Sequence, residues 1–399
     1  MPGLLSIEDA LAHVLARAQP LEVESVLLAD CRGRVLLEEA RAAVDLPPFA
    51  SSAMDGYAVR AADTPGRLEL VGRVAAGRPA GRSLEQGQAM GIATGGAVPD
   101  GADAVVPIEL VVDTDNGIHI EASAKAGDHV RPVGGDVLEG AAILEAGTRL
   151  GPAQLGAAAA AGVASLRCAR RPRVTVLSTG TELRRPGAEL GPGEIYESNS
   201  VMLVAALAVE GAEVDVLDSV ADDPGAHRAA IEHGLAGDLL VTSGGVSVGP
   251  HDLVRSVERE LGVEEVFWRV AVKPGKPVAF GTRGRTLVFG LPGNPVSVSV
   301  TFNLFARTAL RAMQGAHNSA LVEERAVLVR PVKGALERMS YLPARLRTDD
   351  DGRLIAEPLK WGGSSDFVAF ARATALIIVP QGITALESGA RVHIVRLPG

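Results

Sequence analysis

Cysteine and aromatic residues are both scarce in this chain. Its 399 residues include two cysteines, Cys31 and Cys168, and aromatic side chains make up 3% of the composition. Two cysteines so far apart exclude a disulfide-stapled scaffold and a cysteine-ligated zinc site. So few aromatic side chains also leave little surface on which the bases of a single-stranded nucleic acid could stack.

Positive charge and long apolar runs are missing as well. The net charge of −9 argues against sequence-independent binding to nucleic acid. The longest stretch without charge or strong polarity, GAAAAAGVASL at 156–166, is too short to span a bilayer. The N-terminus carries Glu8 and Asp9 and no basic start followed by an apolar stretch, so we expect no signal peptide and a cytoplasmic location.

The composition that remains is typical of a folded protein of several domains. Hydrophobic residues make up 47% and charged residues 22% of the chain. The sequence pattern changes along the chain and divides it into four predicted domains. These are a discontinuous N-terminal domain (1–44 and 137–171), an inserted β domain (45–136), an α/β domain (172–321) and a C-terminal β-barrel (322–399).

The first two domains are distinguished by helical and strand periodicity. A helix is predicted to begin after Ser6, its N-cap. Short β runs follow from 45 onward, with a turn predicted at 113–117 between two strands. The segment 142–163 reads as a strand and an alanine-rich helix, which we expect to pack with the N-terminal helix.

Alternating strands and helices characterise the third domain. Strands are predicted at 173–177 and 213–217, and a helix is predicted to begin at Asp223 as N-cap with Pro224 in its first position. This alternation predicts a mainly parallel sheet with helices on both faces. The fourth domain shows short strands with a hairpin turn at 349–352, which is typical of a small barrel or sandwich.

Three loops rich in Gly, Ser and Pro directly follow strands of the third domain. They are STGTE (178–182), SGGVSVGPHD (243–252) and LPGNPVS (291–297). The carboxyl ends of parallel strands share one sheet edge, where such folds bind ligands. Gly244, Gly245 and Gly249 would let an anion approach backbone amides, although turns that need positive φ are the alternative. The amides of residues 296–298 and the Ser297 hydroxyl would point at the same anion, although Asn294 and Pro295 also explain a simple helix start. Three equivalent loops favour the anion site.

Charged residues near these loops supply the rest of a candidate phosphate site. Lys273 and Lys276 lie on the proline-bounded turn KPGKP. Two lysines in a turn are usually only solvated surface charge, but next to the anion loops these two favour binding of a phosphate or oxyanion. Glu182, Asp238 and Asp252 could each be turn or cap residues, but together they would suit Mg²⁺ bridging phosphates.

The order of the motifs resembles one known family. SAMDGYA, IATGGAVPDGADAVV, STGTEL, IYESN, VTSGGVSVGPHD, VKPGKP and LPGNPVS occur in the order seen in the molybdopterin molybdenumtransferases, the MoeA proteins and the related E domain of gephyrin. VTSGGVSVG alone is shared with molybdopterin adenylyltransferases, whereas SAMDGYA and the inserted β segment separate the two. Gly96 stands where the family usually has alanine, and Gly135 where many members have glutamate.

The resemblance implies a homodimeric enzyme that binds adenylylated molybdopterin, cleaves its phosphoanhydride with Mg²⁺, inserts molybdate at the dithiolene and releases AMP. It implies a multidomain α/β architecture: a three-layer α/β molybdopterin-binding domain, an inserted all-β domain, a discontinuous helical and strand linker domain and a C-terminal β-barrel. The active site would lie between the α/β domain of one subunit and the inserted domain of the other.

The same resemblance carries roles to individual positions. The implied catalytic residues are Asp55, Asp136, Glu182 and Asp238, and the implied metal ligands are Asp55, Asp238 and Asp252. The implied substrate-binding residues are Thr94, Gly95, Ser178, Thr179, Gly180, Ser243, Gly244, Gly245, Ser247, Asp252, Lys273, Lys276, Pro292, Gly293, Asn294, Pro295, Ser297 and Arg345, with Ser364 or Ser365 added from the barrel.

Two other functions remain open at this point. One is a molybdopterin adenylyltransferase or pyrophosphatase built on the same α/β domain. The other is a non-catalytic molybdopterin-binding scaffold, against which the acids Asp55, Asp136, Asp238 and Asp252 argue, because a pure binder gains little from negative charge near phosphates. A molybdopterin adenylyltransferase or an apo-molybdoenzyme could be a protein partner, and we expect neither nucleic acid nor membrane as one.

Overall fold

The computed structural model describes residues 4–220, 223–246 and 253–397. The chain begins with α1 (Ile7–Leu15), β1 (Val23–Leu27) and β2 (Ala40–Arg41). The Ser6 hydroxyl accepts a 3.0 Å hydrogen bond from the Asp9 amide, as predicted for an N-cap. The buried residues of α1 belong to the core of the α/β domain and pack on its last helices. This corrects the expectation that the alanine-rich helix is the packing partner of α1.

The inserted domain is a six-stranded sheet in the order β7-β4-β6-β5-β9-β8, plus a small ladder of β3 with β10. The turn predicted at 113–117 joins β8 to β9, which pair up to Thr114 and Gly117. One core fills each face of the sheet, around Ile118 and around Ile92. The strands are β3 (Ser51–Ser52), β4 (Gly56–Val59), β5 (Gly66–Val74), β6 (Gln88–Ile92), β7 (Ala104–Pro107), β8 (Val111–Thr114), β9 (Gly117–Ile120) and β10 (Val130–Arg131).

After the insertion the chain returns to the N-terminal strands. It forms β11 (Ala142–Leu144), α2 (Pro152–Ala160) and β12 (Ser165–Ala169). β11 pairs with β2 and β12 with β1, both antiparallel. The two segments that flank the insertion therefore share one core, in which the free thiols Cys31 and Cys168 are buried.

The α/β domain contains most of the helices that the structure describes. Its elements are β13 (Arg173–Thr179), β14 (Leu183–Arg184), β15 (Ile195–Tyr196), α3 (Asn199–Val209), β16 (Glu213–Val220), α4 (Pro224–Gly234), β17 (Leu239–Ser243), α5 (Leu253–Glu260), β18 (Glu264–Trp268), β19 (Val272–Lys273), β20 (Ala279–Arg283), β21 (Thr286–Leu291), α6 (Pro295–Thr301) and α7 (Arg307–Met313). A π-helical turn at Phe302–Ala306 joins α6 to α7.

The sheet of this domain has the order β16-β13-β17-β21-β20-β18. The first four strands are parallel, and β20 and β18 are antiparallel additions. Apolar residues of α3 and α6 pack on one face, and those of α4 and α5 pack on the other. The predicted three-layer α/β fold is confirmed. Because the chain passes from β16 across β13 to β17, the strand order reverses between β13 and β17.

The last domain is a closed barrel. Its elements are β22 (Glu323–Leu328), β23 (Val332–Lys333), β24 (Met339–Thr348), β25 (Leu354–Pro358), α8 (Phe367–Phe370), β26 (Ala375–Val379), β27 (Ala385–Leu386) and β28 (Arg391–Arg396). β24 pairs with both β25 and β26, which closes the ring β24-β25-β22-β28-β26. β19 of the α/β domain adds to β24 and fixes the barrel beside the KPGKP turn.

A buried carboxylate ties the N-terminal region to the α/β domain. Glu210, 1% exposed, receives hydrogen bonds from Arg149 (2.8 Å), Arg307 (2.6 Å) and Arg311 (2.9 Å). Burial alone would raise the pKa of Glu210, but the arginines outweigh it and lower that pKa to about 2. Among the helices described, none is long and apolar enough to cross a bilayer.

Candidate active site

A cavity of about 840 Å³ opens at the carboxyl ends of the parallel strands, beside the point where the strand order reverses. This is where open α/β sheets bind ligands. Residues of the α/β domain line most of it, and residues of the barrel close one side. The predicted site residues that line it are Thr179, Gly180, Glu182, Ser243, Gly244, Gly245, Lys273, Lys276, Pro292, Gly293, Asn294, Ser297 and Ser364.

The loop after β17 needs glycine for reasons internal to the fold. Gly244 and Gly245 have φ of +93° and +65°, which side-chain-bearing residues rarely adopt. A Cβ on Gly244 would lie 2.7 Å from the Thr179 carbonyl oxygen, and one on Gly245 would lie 2.5 Å from Val254 Cγ2. The turn interpretation is therefore correct for these two positions, and it is compatible with an anion approaching the same backbone.

Gly293 differs from those two glycines. A Cβ built on it would meet no atom nearer than the Gly244 Cα, at 3.9 Å, and its φ is not positive. The fold described here therefore does not require glycine at 293. Because Gly293 lines the cavity, the space it leaves is available to a ligand.

Side-chain and backbone hydrogen bonds join two of the three loops to the start of α3. The Asn199 Nδ2 group donates to Ser243 Oγ and to the Gly293 carbonyl, both at 2.8 Å. The Gly244 amide donates to the Leu291 carbonyl at 3.1 Å. These bonds fix the loops after β17 and β21 to the start of α3, so the wall of the cavity is preorganised.

The start of α6 is held by the barrel. Asn294 is the N-cap and Pro295 the first helical residue, as predicted. The Asn294 side chain makes no capping hydrogen bond, however. Its Nδ2 donates to Ser364 Oγ at 3.0 Å. The Val296 amide donates to the Ser364 carbonyl at 3.1 Å, and the Val298 amide to the Asn294 carbonyl at 3.0 Å. Two of the three amides at 296–298 are therefore already bonded within the protein, which corrects the expectation that they face an anion.

The charge of the cavity is positive. Among its described residues, Lys273, Lys276 and Arg338 carry positive charge and Glu182 carries the one negative charge, a net of +2. None of the four forms an ion pair with another described residue. Three cations without carboxylate partners among the described residues, around loops of small residues, are the arrangement expected of a site for a polyanion.

The structure places Asp238 outside this cavity. It immediately precedes β17, so it lies at the amino end of that strand and the cavity lies at the carboxyl end. Arg170 donates to both carboxylate oxygens (2.6 and 2.7 Å), and the Arg173 amide donates at 2.7 Å. Burial would raise the pKa of Asp238, but these bonds outweigh it and hold the pKa below its usual range.

Five other predicted residues of the α/β domain and barrel also lie away from the cavity or outside the described residues. Pro295 does not line the cavity, and neither does Ser365, the alternative to Ser364. Ser178 is buried and its hydroxyl bonds Glu197 (3.0 Å) and Ser200 (2.8 Å). Arg345 is an exposed residue of β24 beyond the cavity wall. Ser247 and Asp252 lie outside the described residues.

The predicted residues of the inserted domain lie away from the cavity of the same chain. Asp55 Oδ1 accepts hydrogen bonds from the Thr94 amide (2.7 Å) and hydroxyl (3.1 Å), and these bonds lower the pKa of Asp55. Gly95 follows in the same turn with φ of +77°. Asp136 is exposed and pairs with Arg131. No described residue of 45–136 lines the cavity in the single chain.

Four polar or aromatic residues of the cavity are absent from the sequence-based prediction of the site. Asn199 is the last residue of the IYESN motif, whereas Arg338 and Trp361 reach the cavity from the barrel. His227 is 1% exposed, and its Nδ1 donates to the Asp223 carbonyl at 3.0 Å, which leaves Nε2 as the free ring nitrogen. The IYESN motif is the sequence feature that could have identified Asn199 as a site residue. No local pattern marks Arg338, Trp361 or His227.

Three family models cover almost the whole described fold. The MoeA N-terminal region (domain I and II) matches residues 5–162, a probable molybdopterin-binding domain matches 175–312, and the MoeA C-terminal region (domain IV) matches 325–397. Molybdopterin molybdenumtransferase 2 of Mycobacterium tuberculosis (strain H37Rv) is 35% identical over 408 residues, covering 97% of each chain. The chain belongs to the MoeA family.

Other relatives agree with this membership in the MoeA family. The molybdopterin molybdenumtransferase of Haemophilus influenzae is 32% identical over 397 residues, covering 98% of each chain. A crystal structure of a molybdopterin biosynthesis MoeA protein from Pyrococcus horikoshii superposes with a TM-score of 0.83 at 33% identity, covering 99% of this chain and 100% of the other.

Proposed function

We propose that the protein is a molybdopterin molybdenumtransferase of molybdenum-cofactor biosynthesis. It takes adenylyl-molybdopterin and molybdate, cleaves the phosphoanhydride, places molybdenum on the dithiolene and releases AMP. The observation that carries this proposal is the cavity with a net charge of +2 at the strand reversal of a MoeA-family α/β domain. A phosphoanhydride flanked by two organic groups and an oxyanion co-substrate both match that charge.

The residues of the cavity suit a reaction that depends on positioning. Cleavage of a phosphoanhydride requires in-line placement and neutralisation of oxygen charge more than a strong nucleophile. Lys273 and Lys276 provide that neutralisation, and the loops around Gly244 and Gly293 allow close approach. Joined by Asn199, these loops hold the phosphates without reorganisation during the reaction.

A Mg²⁺ requirement is part of the proposal, although the described residues of one chain do not fit the ion by themselves. Glu182 is the one carboxylate that lines the cavity, and the described residues contain no cluster of three or more acidic or other metal-ligating side chains. Mg²⁺ needs one or two carboxylates besides phosphate oxygens and water. The further acids would have to come from Asp252 or from a second subunit.

We infer that the active unit is a homodimer in which the inserted domain of one subunit completes the cavity of the other. The support is the separation of charges: the cations line the cavity, whereas Asp55 and Asp136 lie exposed on the inserted domain. Two hydrogen bonds from Thr94 fix the Asp55 carboxylate, as expected of a side chain that is preorganised for a role in an active site. The cytoplasm is the proposed location, since both cysteines are free and buried.

The shared site can be tested with a heterodimer. Asp55→Ala and Lys276→Ala should each abolish AMP release from adenylyl-molybdopterin while the chain remains dimeric. When the two variants are co-expressed with different tags and purified as a heterodimer, one of the two sites is intact, so activity should return to about half of the wild-type rate.

A matched heterodimer provides the control. Lys273→Ala and Lys276→Ala lie on the same turn, so their heterodimer has one damaged lysine at each site and should stay inactive. Failure of the Asp55/Lys276 heterodimer to recover activity would contradict a shared site. Wild-type rates in the Asp55→Ala homodimer would contradict the role of Asp55.

A further inference from the structure

We propose that Trp361 is the stacking platform for a heteroaromatic ring of the substrate, and this inference rests on the function proposed above. Adenylyl-molybdopterin carries two flat heterocycles, a pterin and an adenine, on either side of its phosphates. The chain contains two tryptophans. Trp361 is the one that lines the cavity, on the side formed by the barrel.

The two tryptophans have different surroundings. Two guanidinium groups contact Trp268, with Arg255 and Arg269 at 4.1 and 3.8 Å from the ring centroid, and its indole N–H donates to the Val246 carbonyl. The Trp268 ring is therefore already engaged within the fold. Trp361 packs on the core shared by α1 and the α/β domain and remains partly exposed. Among the described residues, its ring contacts no other aromatic ring or cation, and its indole N–H donates no hydrogen bond.

The loop that carries Trp361 is fixed on both sides. Asp366 accepts hydrogen bonds from the Gly362 amide (2.8 Å) and the Ala369 amide (3.1 Å), which lower the pKa of its carboxyl group. Ser364 is bonded to the start of α6 through Asn294 and Val296. An aromatic ring held in this way loses little conformational freedom when a ligand stacks on it.

The opposite wall of the cavity determines where the rest of the ligand lies. The lysines and the Gly-rich loops bind phosphate, and Trp361 closes the cavity together with Leu342 and Arg338. A ligand with phosphate on the loops and a flat ring attached would place that ring toward the barrel. Stacking is tolerant of ring identity, so the geometry assigns a heteroaromatic ring and leaves the pterin and the adenine to be distinguished by experiment.

Fluorescence isolates the two tryptophans. In a Trp268→Phe variant the remaining emission comes from Trp361, and it should be quenched on saturation with AMP or with pterin-6-carboxylate. In a Trp361→Phe variant the emission comes from Trp268 and should change little. Quenching by AMP alone assigns the adenine half to Trp361, and quenching by the pterin alone assigns the pterin half. If neither probe quenches Trp361, the proposal is overturned.

Affinity measurements separate stacking from support of the wall. Trp361→Ala should raise the Kd for the quenching probe about ten-fold, and Trp361→Phe should restore most of the affinity. Inorganic pyrophosphate, which has no ring, should bind wild type and Trp361→Ala alike. An unchanged Kd for the probe in Trp361→Ala overturns the proposal, and so does an equal loss of pyrophosphate affinity.

The two proposals fail in different ways. These binding measurements involve no turnover, so a chain that binds AMP on Trp361 but releases none from adenylyl-molybdopterin would refute the enzymatic function alone. A chain with normal turnover and an inert Trp361 would refute the stacking alone. Trp361→Leu serves as a second variant that keeps apolar bulk, and it should bind the probe as weakly as Trp361→Ala.

Discussion

Replacing Glu210 with glutamine removes the single negative charge that Arg149, Arg307 and Arg311 share. The carboxylate is 1% exposed, and the substitution retains its size while leaving three guanidinium groups without a counter-charge. We expect a large loss of stability from this one change, because breaking a buried ion pair by removing one partner costs about 3–5 kcal/mol.

The pKa of Glu210 gives an independent magnitude. Its fall from an ordinary 4.5 to about 2 corresponds to about 3 kcal/mol of stability at neutral pH. Since the folded pKa lies below the unfolded one, this stability is present above the unfolded pKa and is lost as the pH falls toward the folded pKa. The difference between wild type and Glu210→Gln should therefore narrow from about pH 5 to about pH 2.

Urea unfolding at a series of pH values measures this difference. Glu213→Gln is the matched control, since Glu213 is exposed at the start of β16, three residues after Glu210. This variant should unfold like wild type. A Glu210→Gln variant within about 0.5 kcal/mol of wild type at neutral pH would refute the reasoning. A difference that does not narrow on acidification would refute the titration argument specifically.

Two further predictions concern single residues near the sheet. Asp238→Asn should lower the free energy of unfolding by about 2 kcal/mol, because its bonds to Arg170 lose their charge, yet leave kcat for AMP release unchanged. A loss of kcat with unchanged stability would return Asp238 to the active site. Gly293→Ala should leave the melting temperature close to that of wild type, because a Cβ there meets only Gly244, but should weaken pyrophosphate binding about ten-fold. Unchanged binding would show that the phosphate lies elsewhere.

Much of the fold could be predicted from the sequence because its signals are local. Strand–helix alternation predicts the three-layer domain, and turn residues at 113–117 and 349–352 predict two hairpins that the structure contains. The packing partner of α1 could not be predicted, because the apolar face of an amphipathic helix can pack on any apolar surface. It packs on α7 and the adjoining π turn, far along the chain.

Site residues could be predicted where a loop directly follows a strand. The prediction missed the residues that reach the cavity from another domain. Thr179, Ser243 and Pro292 reach one edge because parallel strands end there. Asp238 lies at the opposite edge of the sheet, because it precedes β17 instead of following it. Trp361 and Arg338 enter only because β19 pairs with β24 and seats the barrel on the α/β domain, which is a contact between distant segments.

The most direct test of the central claim is AMP release by the purified wild-type protein from adenylyl-molybdopterin, with and without molybdate and Mg²⁺. The proposed function predicts release that requires both, coupled to formation of a molybdenum-bound dithiolene. Release that is equally fast without molybdate would indicate a pyrophosphatase. Formation of adenylyl-molybdopterin from ATP and molybdopterin would indicate an adenylyltransferase, and either result would contradict the account.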